Sequence, residues 1–303
     1  MSLDVTFLGK KFKSPLVLAS GILGVTASSW SNVIKHGAGG VTIKSCSLKQ
    51  REGHPNPTMT GFDNYFINAV GLSNPGVEEV LKEIETYKKT NKEPLIGSVF
   101  AGSVKDFGRI TKQICQSEID MLEVNISCPN VKKEFDEPYS YSEKASSTIT
   151  KEVKKNAGKV PIIIKLSPDA SNIAKVGKAC EQAGADALCA INTISGMAIN
   201  AELAKPILSN VQGGVSGPGV KPVALKCVWD LYENVKIPII GTGGVTTGED
   251  AVEMHMAGAT LIGVGSAVYY RKIDAFQKIN KEMNDFMKKN KYKTVKSMIG
   301  AAH

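Results

Sequence analysis

The 303-residue sequence predicts an α/β chain folded as a (β/α)8 TIM barrel, with an N-terminal β-hairpin and long loops over one end. Three observations carry this expectation. Eight short apolar, β-branched runs alternate with eight stretches of helical patterning, which is what a parallel sheet covered on its outer face requires. Three connections, at 36–44, 182–190 and 256–264, repeat a Gly-Ala step. There the glycine falls just past a helix, where a left-handed turn admits it without a Cβ penalty, and the next strand starts at once. No composition break or Pro/Ser-rich linker divides the chain, so residues 1–303 are expected to form a single domain.

The elements follow in order. VTFLGKKF suggests a small hairpin with Gly9 and Lys10 at its turn, placed to close the barrel bottom. PLVLAS (15–20) is the first barrel strand and 27–37 its helix; GVTIKS (40–45) is the second, followed by a long loop from 46 to about 75 and a helix over 76–90. PLIGSVF (94–100) precedes the helix 103–116, and MLEVNIS (121–127) precedes a loop over 128–144 and the helix 145–157. PIIIKLS (161–167) pairs with 170–183, and ALCAINT (187–193) leads through a long loop, 194–219, to the helix 221–234. IPIIGTG (237–243) with 247–257, and LIGVGS (261–266) with 272–289, complete the barrel. Loops this long inside a compact domain usually serve as lids or binding loops, and all three lie on the βα side.

Composition excludes several classes. With 42% hydrophobic and 22% charged residues, a packed core is expected. No apolar run reaches the roughly 18 residues of a membrane helix, and MSLDVTFLGK lacks the pattern of a secretory signal. A cytoplasmic location with no membrane contact is expected. The net charge of +8 comes from lysines interleaved with acids at helical intervals, a solvated surface. Aromatics make up 6% and do not alternate with basic residues, so no nucleic-acid partner is expected. The six cysteines form no C-x-x-C pair and the four histidines are scattered, so no metal is expected.

In such a barrel the catalytic groups come from the carboxyl ends of the strands and the loops after them. Those ends hold Ser20 and Gly21; Lys44 and Ser45; Ser98; Asn125, Ser127 and Cys128; Lys165 and Ser167; Asn192 and Thr193; Gly243 and Gly244; Gly265 and Ser266. Either lysine by itself could snorkel to solvent. Two at matching positions, with the asparagines, point to an anion or electron-rich ring held at the mouth. Asn68, Asn125, Asn130 and Asn192 offer paired donors and acceptors that suit an amide-like edge. Turn chemistry explains Asn68 or Asn130 singly, but it fits Asn125 poorly, inside an apolar strand end. The glycine-rich GTGGVTTGED (241–250) and GVGSAVY (263–269) follow the seventh and eighth strands, where bare amides form the usual phosphate site of a barrel. Five cysteines fit the role of small buried hydrophobes. Cys128 instead opens a loop, before a proline that holds the chain extended. Near lysine charge it could be a thiolate nucleophile or a general base.

Ten phrases in order, LASGILG, GVTIKS, NAVGLSNPGV, VNISCPNV, IKLSP, AINTISGMAI, GGVSGP, KPVALK, IPIIGTGGVTTGEDAVE and MAGATLIGVGSAVY, make the whole chain resemble the class 1 dihydroorotate dehydrogenases. The resemblance is strongest to the class 1B catalytic subunit. It implies FMN-dependent oxidation of dihydroorotate to orotate in de novo pyrimidine (UMP) biosynthesis. In that reaction Cys128 removes the C5 proton and a hydride passes from C6 to flavin N5. A cysteine with an ordinary pKa of roughly 8.5 is partly ionised at neutral pH, so activity should rise toward alkaline pH.

By the same resemblance Lys44, Asn68, Gly71, Leu72, Asn125, Asn130, Asn192 and Thr193 hold the substrate. FMN is held by Ser20, Gly21, Lys44, Ser45, Ser98, Asn125, Lys165, Ile191, Gly217, Gly243, Gly244, Gly265 and Ser266, the last four taking the phosphate and Lys165 lying near flavin N1. The family further implies a homodimer and, in class 1B, a second chain that carries FAD and a 2Fe–2S cluster and passes electrons to NAD. One departure is the loop after SCPNVK: it reads KEFDEPYSYSEK where the subgroup has glycines. Two alternatives remain open at this point: a non-redox phosphate-binding barrel such as an isomerase or lyase, and a dihydropyrimidine dehydrogenase-like flavin module.

Overall fold

The chain opens with the hairpin. Strands β1 (Val5–Phe7) and β2 (Lys10–Phe12) pair antiparallel with Val5 opposite Phe12. Leu8 and Gly9 form the turn at φ 47° and 77°, the left-handed pair whose twist suits a two-residue hairpin. The expected turn at Gly9 and Lys10 is therefore corrected by one residue, because Lys10 already pairs with Phe7.

The computed structural model describes residues 2–127 and 138–303. After the hairpin come β3 (Leu16–Leu18), α1 (Ala27–Lys35), β4 (Gly40–Thr42), β5 (Met59–Gly61), β6 (Phe66–Asn68), α2 (Val77–Thr90), β7 (Leu95–Val99), α3 (Val104–Ile114) and β8 (Met121–Asn125). Then follow α4 (Glu143–Asn156), β9 (Ile162–Leu166), α5 (Ile173–Gln182), β10 (Ala187–Ala190), β11 (Ile194–Met197), β12 (Ile199–Asn200), β13 (Lys205–Pro206) and β14 (Gln212–Ser216). The chain ends with α6 (Lys221–Asn234), β15 (Ile239–Thr242), α7 (Gly248–Met256), β16 (Leu261–Val264), α8 (Ala267–Arg271) and α9 (Ala275–Lys289).

Strands β3, β4, β7, β8, β9, β10, β15 and β16 close into a parallel barrel in that order. All eight expected barrel strands are present, each a residue or more shorter at its carboxyl end, where the chain leaves the ladder to build the mouth. Five helices start on side-chain caps: Thr26, Ser103, Ser142 and Asn172, before α1, α3, α4 and α5, each accept from an amide of the first turn, and Thr247, before α7, forms a reciprocal capping box with Asp250. The repeated Gly-Ala step works as expected, with Gly37, Gly184 and Gly258 at φ 98°, 100° and 116°. The last helical stretch, expected over 272–289, forms as α9 from Ala275, and the short α8, which was not expected, precedes it.

Strand parity separates two cores. Leu16, Leu18, Leu95, Leu122, Ile162, Ile164 and Ile262 face outward and are buried against the helices. Val17, Ile96, Met121, Ile163, Ala187, Ile240 and Leu261 face inward and meet Val5, Phe7 and Phe12 of the hairpin. The hairpin thus plugs the amino-terminal end of the barrel, with Phe7 and Phe12 edge to face at 6.3 Å. A Cβ on Gly40 would lie 2.7 Å from the Phe12 ring, so the plug fits only over a glycine there.

The two longest loops are not bare coil. Strands β5 and β6 of the first pair with β14 and β11 of the second, in the order β11-β14-β6-β5, as one antiparallel sheet. Among the described residues no helix is long and apolar enough to cross a membrane.

Candidate functional site

Because side chains alternate along a strand, four of the inward apolar residues around the plug are followed two positions later by a polar one. Ile96 leads to Ser98, Met121 to Glu123 and Asn125, Ile163 to Lys165 and Ser167, and Ile240 to Thr242. On β4 the inward set is Gly40, Thr42 and, past the strand end, Lys44. The barrel is therefore apolar at the hairpin end and polar toward its carboxyl end.

Lys44 is half-buried and makes no ion pair or hydrogen bond among the described residues; burial holds its pKa below the ordinary lysine value. It lines a cavity of about 560 Å³ with Gly21, Arg51, Ser73 and Asn74. Lys165 is 6% exposed, beside Asn125 in register, and its ammonium lies 3.7 Å from the carboxylate of Glu123, which is 2% exposed. Ser98 Oγ donates to Glu123 Oε1 at 3.2 Å and shares hydrogen bonds with Ser45 (2.8 Å) and Ser20 (3.3 Å). Ser20, Ser45, Ser98, Glu123 and Lys165 thus form one continuous polar layer under the mouth.

The asparagines converge from different elements. Asn125 Oδ1 accepts the Ser127 amide at 3.1 Å and the Asn192 side chain at 3.4 Å, while Asn192 Oδ1 accepts the Thr193 amide at 2.9 Å. Asn68 ends β6 and donates to Gly214 O at 3.4 Å. A Cβ at Gly214 would sit 2.0 Å from Thr193 Oγ1, and one at Gly213 2.4 Å from Asn68 O. The glycine pair lets β14 pass directly over both residues, which brings Asn68 and Thr193 together. Gly71 and Leu72 follow with φ 75° and 59°; their carbonyls accept from Arg51 Nε and Asn74 Nδ2 at 2.7 and 2.9 Å.

At the far side of the mouth the amides of Gly243, Gly244, Gly265 and Ser266 make no hydrogen bond among the described residues. A Cβ on Gly21 would meet nothing within 4 Å, so the bare backbone borders open space there, while one on Gly265 would make ordinary contact with Ala19 and Ile22 from 3.6 Å. Ile191 is buried behind Gly243, its amide on Thr242 O at 2.7 Å. Gly217, at φ 99°, turns the chain from β14 toward α6 under Tyr65 and Tyr270. Free amides, two inward cations and a hydrogen-bonding rim suit a ligand with both a phosphate and a polar ring, and so fit FMN.

Cys128 and Asn130 lie outside the described residues. The other five cysteines are free thiols. Burial pushes Cys46, Cys115, Cys180 and Cys189 up to about 12 and Cys227 up to about 11. All five are therefore neutral at physiological pH. No group of three or more metal-ligating side chains occurs among the described residues. A second cavity, of about 340 Å³, is lined by Trp229, Met256 and Ala302 on the outer helices and touches none of the strand-end residues.

Two site residues escaped the sequence reading. Glu123 was hidden as a lone acid in an apolar run, although its parity with Asn125 marks it as inward. Asn74 was not singled out within NAVGLSNPGV; it is buried and binds Ser47, Leu72 and Gly76 together.

The sequence profile of the dihydroorotate dehydrogenase family matches residues 2–287. Three relatives illustrate the similarity, each named dihydroorotate dehydrogenase B (NAD(+)), catalytic subunit. The protein of Methanocaldococcus jannaschii is 42% identical over 99% of this chain and 98% of its own. That of Pyrococcus abyssi is 41% identical over 99% of each, and that of Maridesulfovibrio salexigens is 39% identical over 99% and 98%.

Proposed function

The chain belongs to the dihydroorotate dehydrogenase family, and from that membership we propose that it oxidises dihydroorotate to orotate in pyrimidine biosynthesis as an FMN-bearing barrel domain, the catalytic subunit of an NAD-linked enzyme. The observation that carries the chemical reading is the sharing of one mouth by a buried Lys165 and, unpaired among the described residues, Lys44 and four amides.

When bound, FMN supplies the acceptor for the hydride that leaves C6. The chain does the rest. Lys44 meets the substrate carboxylate. Asn68, Asn125, Asn130, Asn192 and Thr193 hydrogen-bond the ring, with Gly71 and Leu72 shaping the loop beside it; such orientation is worth up to roughly 7–11 kcal/mol of barrier. Cys128, by its place in the SCPN motif, takes the proton from C5. Gly243, Gly244, Gly265 and Ser266 donate to the phosphate, and Gly217 and Ile191 flank the cofactor. Ser20, Gly21, Ser45 and Ser98 line its near side, and Lys165 lies where a cation favours charge developing on the ring.

The relatives' designation as catalytic subunits supports a partner chain for electron transfer, which we assign FAD and a 2Fe–2S cluster. Met59, Met197, Ile199, Leu203 and Val211, exposed on the two loop excursions, support a homodimer contact there. The free thiols suit a reducing cytoplasm.

The test is anaerobic addition of dihydroorotate to the FMN-loaded chain. Bleaching of the oxidised flavin band is expected; a loaded chain that stays yellow would exclude this substrate. Cys128→Ala should keep FMN but lower turnover about 10²–10⁴-fold at neutral pH, the range of a lost general base. Undiminished turnover would assign the proton to another group. Adding NAD with and without the partner chain then identifies the acceptor.

A further inference from the structure

The polar layer beneath the mouth pairs Lys165, already placed at the cofactor, with Glu123, which has no role yet. Burying a carboxylate and an ammonium costs several kcal/mol for each ion. Glu123 and Lys165 are both buried, yet they are held at 3.7 Å rather than in a close contact. The groups facing Lys165 are Glu123 and Asn125 from β8, Ser98 from β7, Cys189 from β10 and Thr242 from β15, with Lys44 on β4 the other cation at the mouth. Cys189 is a neutral thiol, pushed up to about 12 by burial and by the Glu123 charge. Glu123 is thus the negative charge in this set.

Burial works against the Lys165 cation; the Glu123 carboxylate, with a further contribution from Cys189, outweighs it and raises the pKa above the ordinary value. The carboxylate is itself oriented by Ser98, which continues to Ser45 and Ser20. At 3.7 Å Glu123 sustains the charge while leaving the ammonium donors for another acceptor.

We propose that Glu123 is a positioning residue that keeps Lys165 charged and aimed at the flavin edge that becomes electron-rich on reduction. The proposal rests on the FMN reading above. Lys165 would touch the cofactor and Glu123 would act through it. A neutral lysine would favour reduced FMN less.

The test is the two-electron midpoint potential of the FMN-loaded chain between about pH 6 and 9, for wild type, Glu123→Gln, Lys165→Met and the double variant. Glu123→Gln should lower the ratio of reduced-to-oxidised FMN binding about tenfold or more, about 30 mV for each factor of ten. The double variant should fall no further than Lys165→Met. An unchanged or higher potential in Glu123→Gln, or losses that add in the double variant, would overturn the proposal. Should Glu123→Gln not accumulate as folded protein, Ser98→Ala replaces it: a smaller fall in the same direction is expected, and no fall overturns the role of Glu123. A wild-type chain that takes up no FMN would overturn the flavoenzyme reading as well, whereas loaded proteins of equal potential would overturn only the role of Glu123.

Discussion

Lys44 shows how one side chain sets a pH profile. It reaches the mouth from an inward strand position with no counterion among the described residues, so a substrate carboxylate would be its first ionic partner. A hydrogen bond to a charged group is worth about 1.5–3 kcal/mol, so Lys44→Met should lower kcat/KM roughly 10- to 150-fold, with most of the loss in KM. Steady-state kinetics with unchanged KM would remove Lys44 from the substrate site. Burial lowers its pKa, so the cation is lost at a lower pH than an ordinary lysine would lose it. Activity should therefore rise with pH as Cys128 ionises and then fall as Lys44 loses its proton, and Lys44→Met should lack the fall. Residues such as Lys44, Asn125 and Lys165 were legible because an apolar strand that ends on a polar side chain has few structural reasons to do so. Glu123 was not legible, because its meaning comes from Lys165 on the neighbouring strand, 42 positions away in the chain and paired only through the barrel register.

At the scale of elements, helices and barrel strands followed from local signals: caps, apolar periodicity and the Gly-Ala turns. The sheet joining the two long excursions did not. Asn68 and Gly214 are register partners 146 positions apart, and neither FIN nor QGGVS contains an alternation strong enough to announce a strand. Gly213 and Gly214 let β14 approach Asn68 and Thr193. Gly214→Ala would place a methyl 2.0 Å from Thr193 Oγ1. Overpacking of this kind costs about 1–3 kcal/mol, and the barrel below does not depend on the contact. The variant should therefore remain folded and keep FMN while KM for dihydroorotate rises, about tenfold for each 1.4 kcal/mol transferred to the site. A variant whose KM and kcat match wild type would show that β14 does not position Thr193 for the substrate.

The whole molecule is organised along the barrel axis, with an apolar plug at one end, a polar layer in the middle and a wet mouth at the other, so site chemistry and global stability draw on different groups. Global acid sensitivity has its own source outside the barrel. His255, in the last turn of α7, is fully buried; its Nδ1 meets Ala259 O at 2.8 Å and its Nε2 has no partner among the described residues. Burial drives its pKa down to about 4. The unfolded chain takes up this proton near the ordinary value of about 6.5, so the unfolded state binds more protons between the two values and stability decreases as the pH is lowered across that window. Stability from this source is intact above pH 6.5, and its loss reaches about 3 kcal/mol once the pH has dropped below 4. Asp120 and Asp250, held below the ordinary carboxylate value by their lysine and amide partners despite the opposing cost of burial, add their loss at lower pH still. His255→Asn retains a donor for Ala259 O and removes the titration, so its melting temperature should vary less than that of wild type between pH 6.5 and 4, with both proteins declining in parallel below that. Parallel curves through the upper window would mean that His255 is already charged in the folded protein, and that the acid response arises from the carboxylates instead.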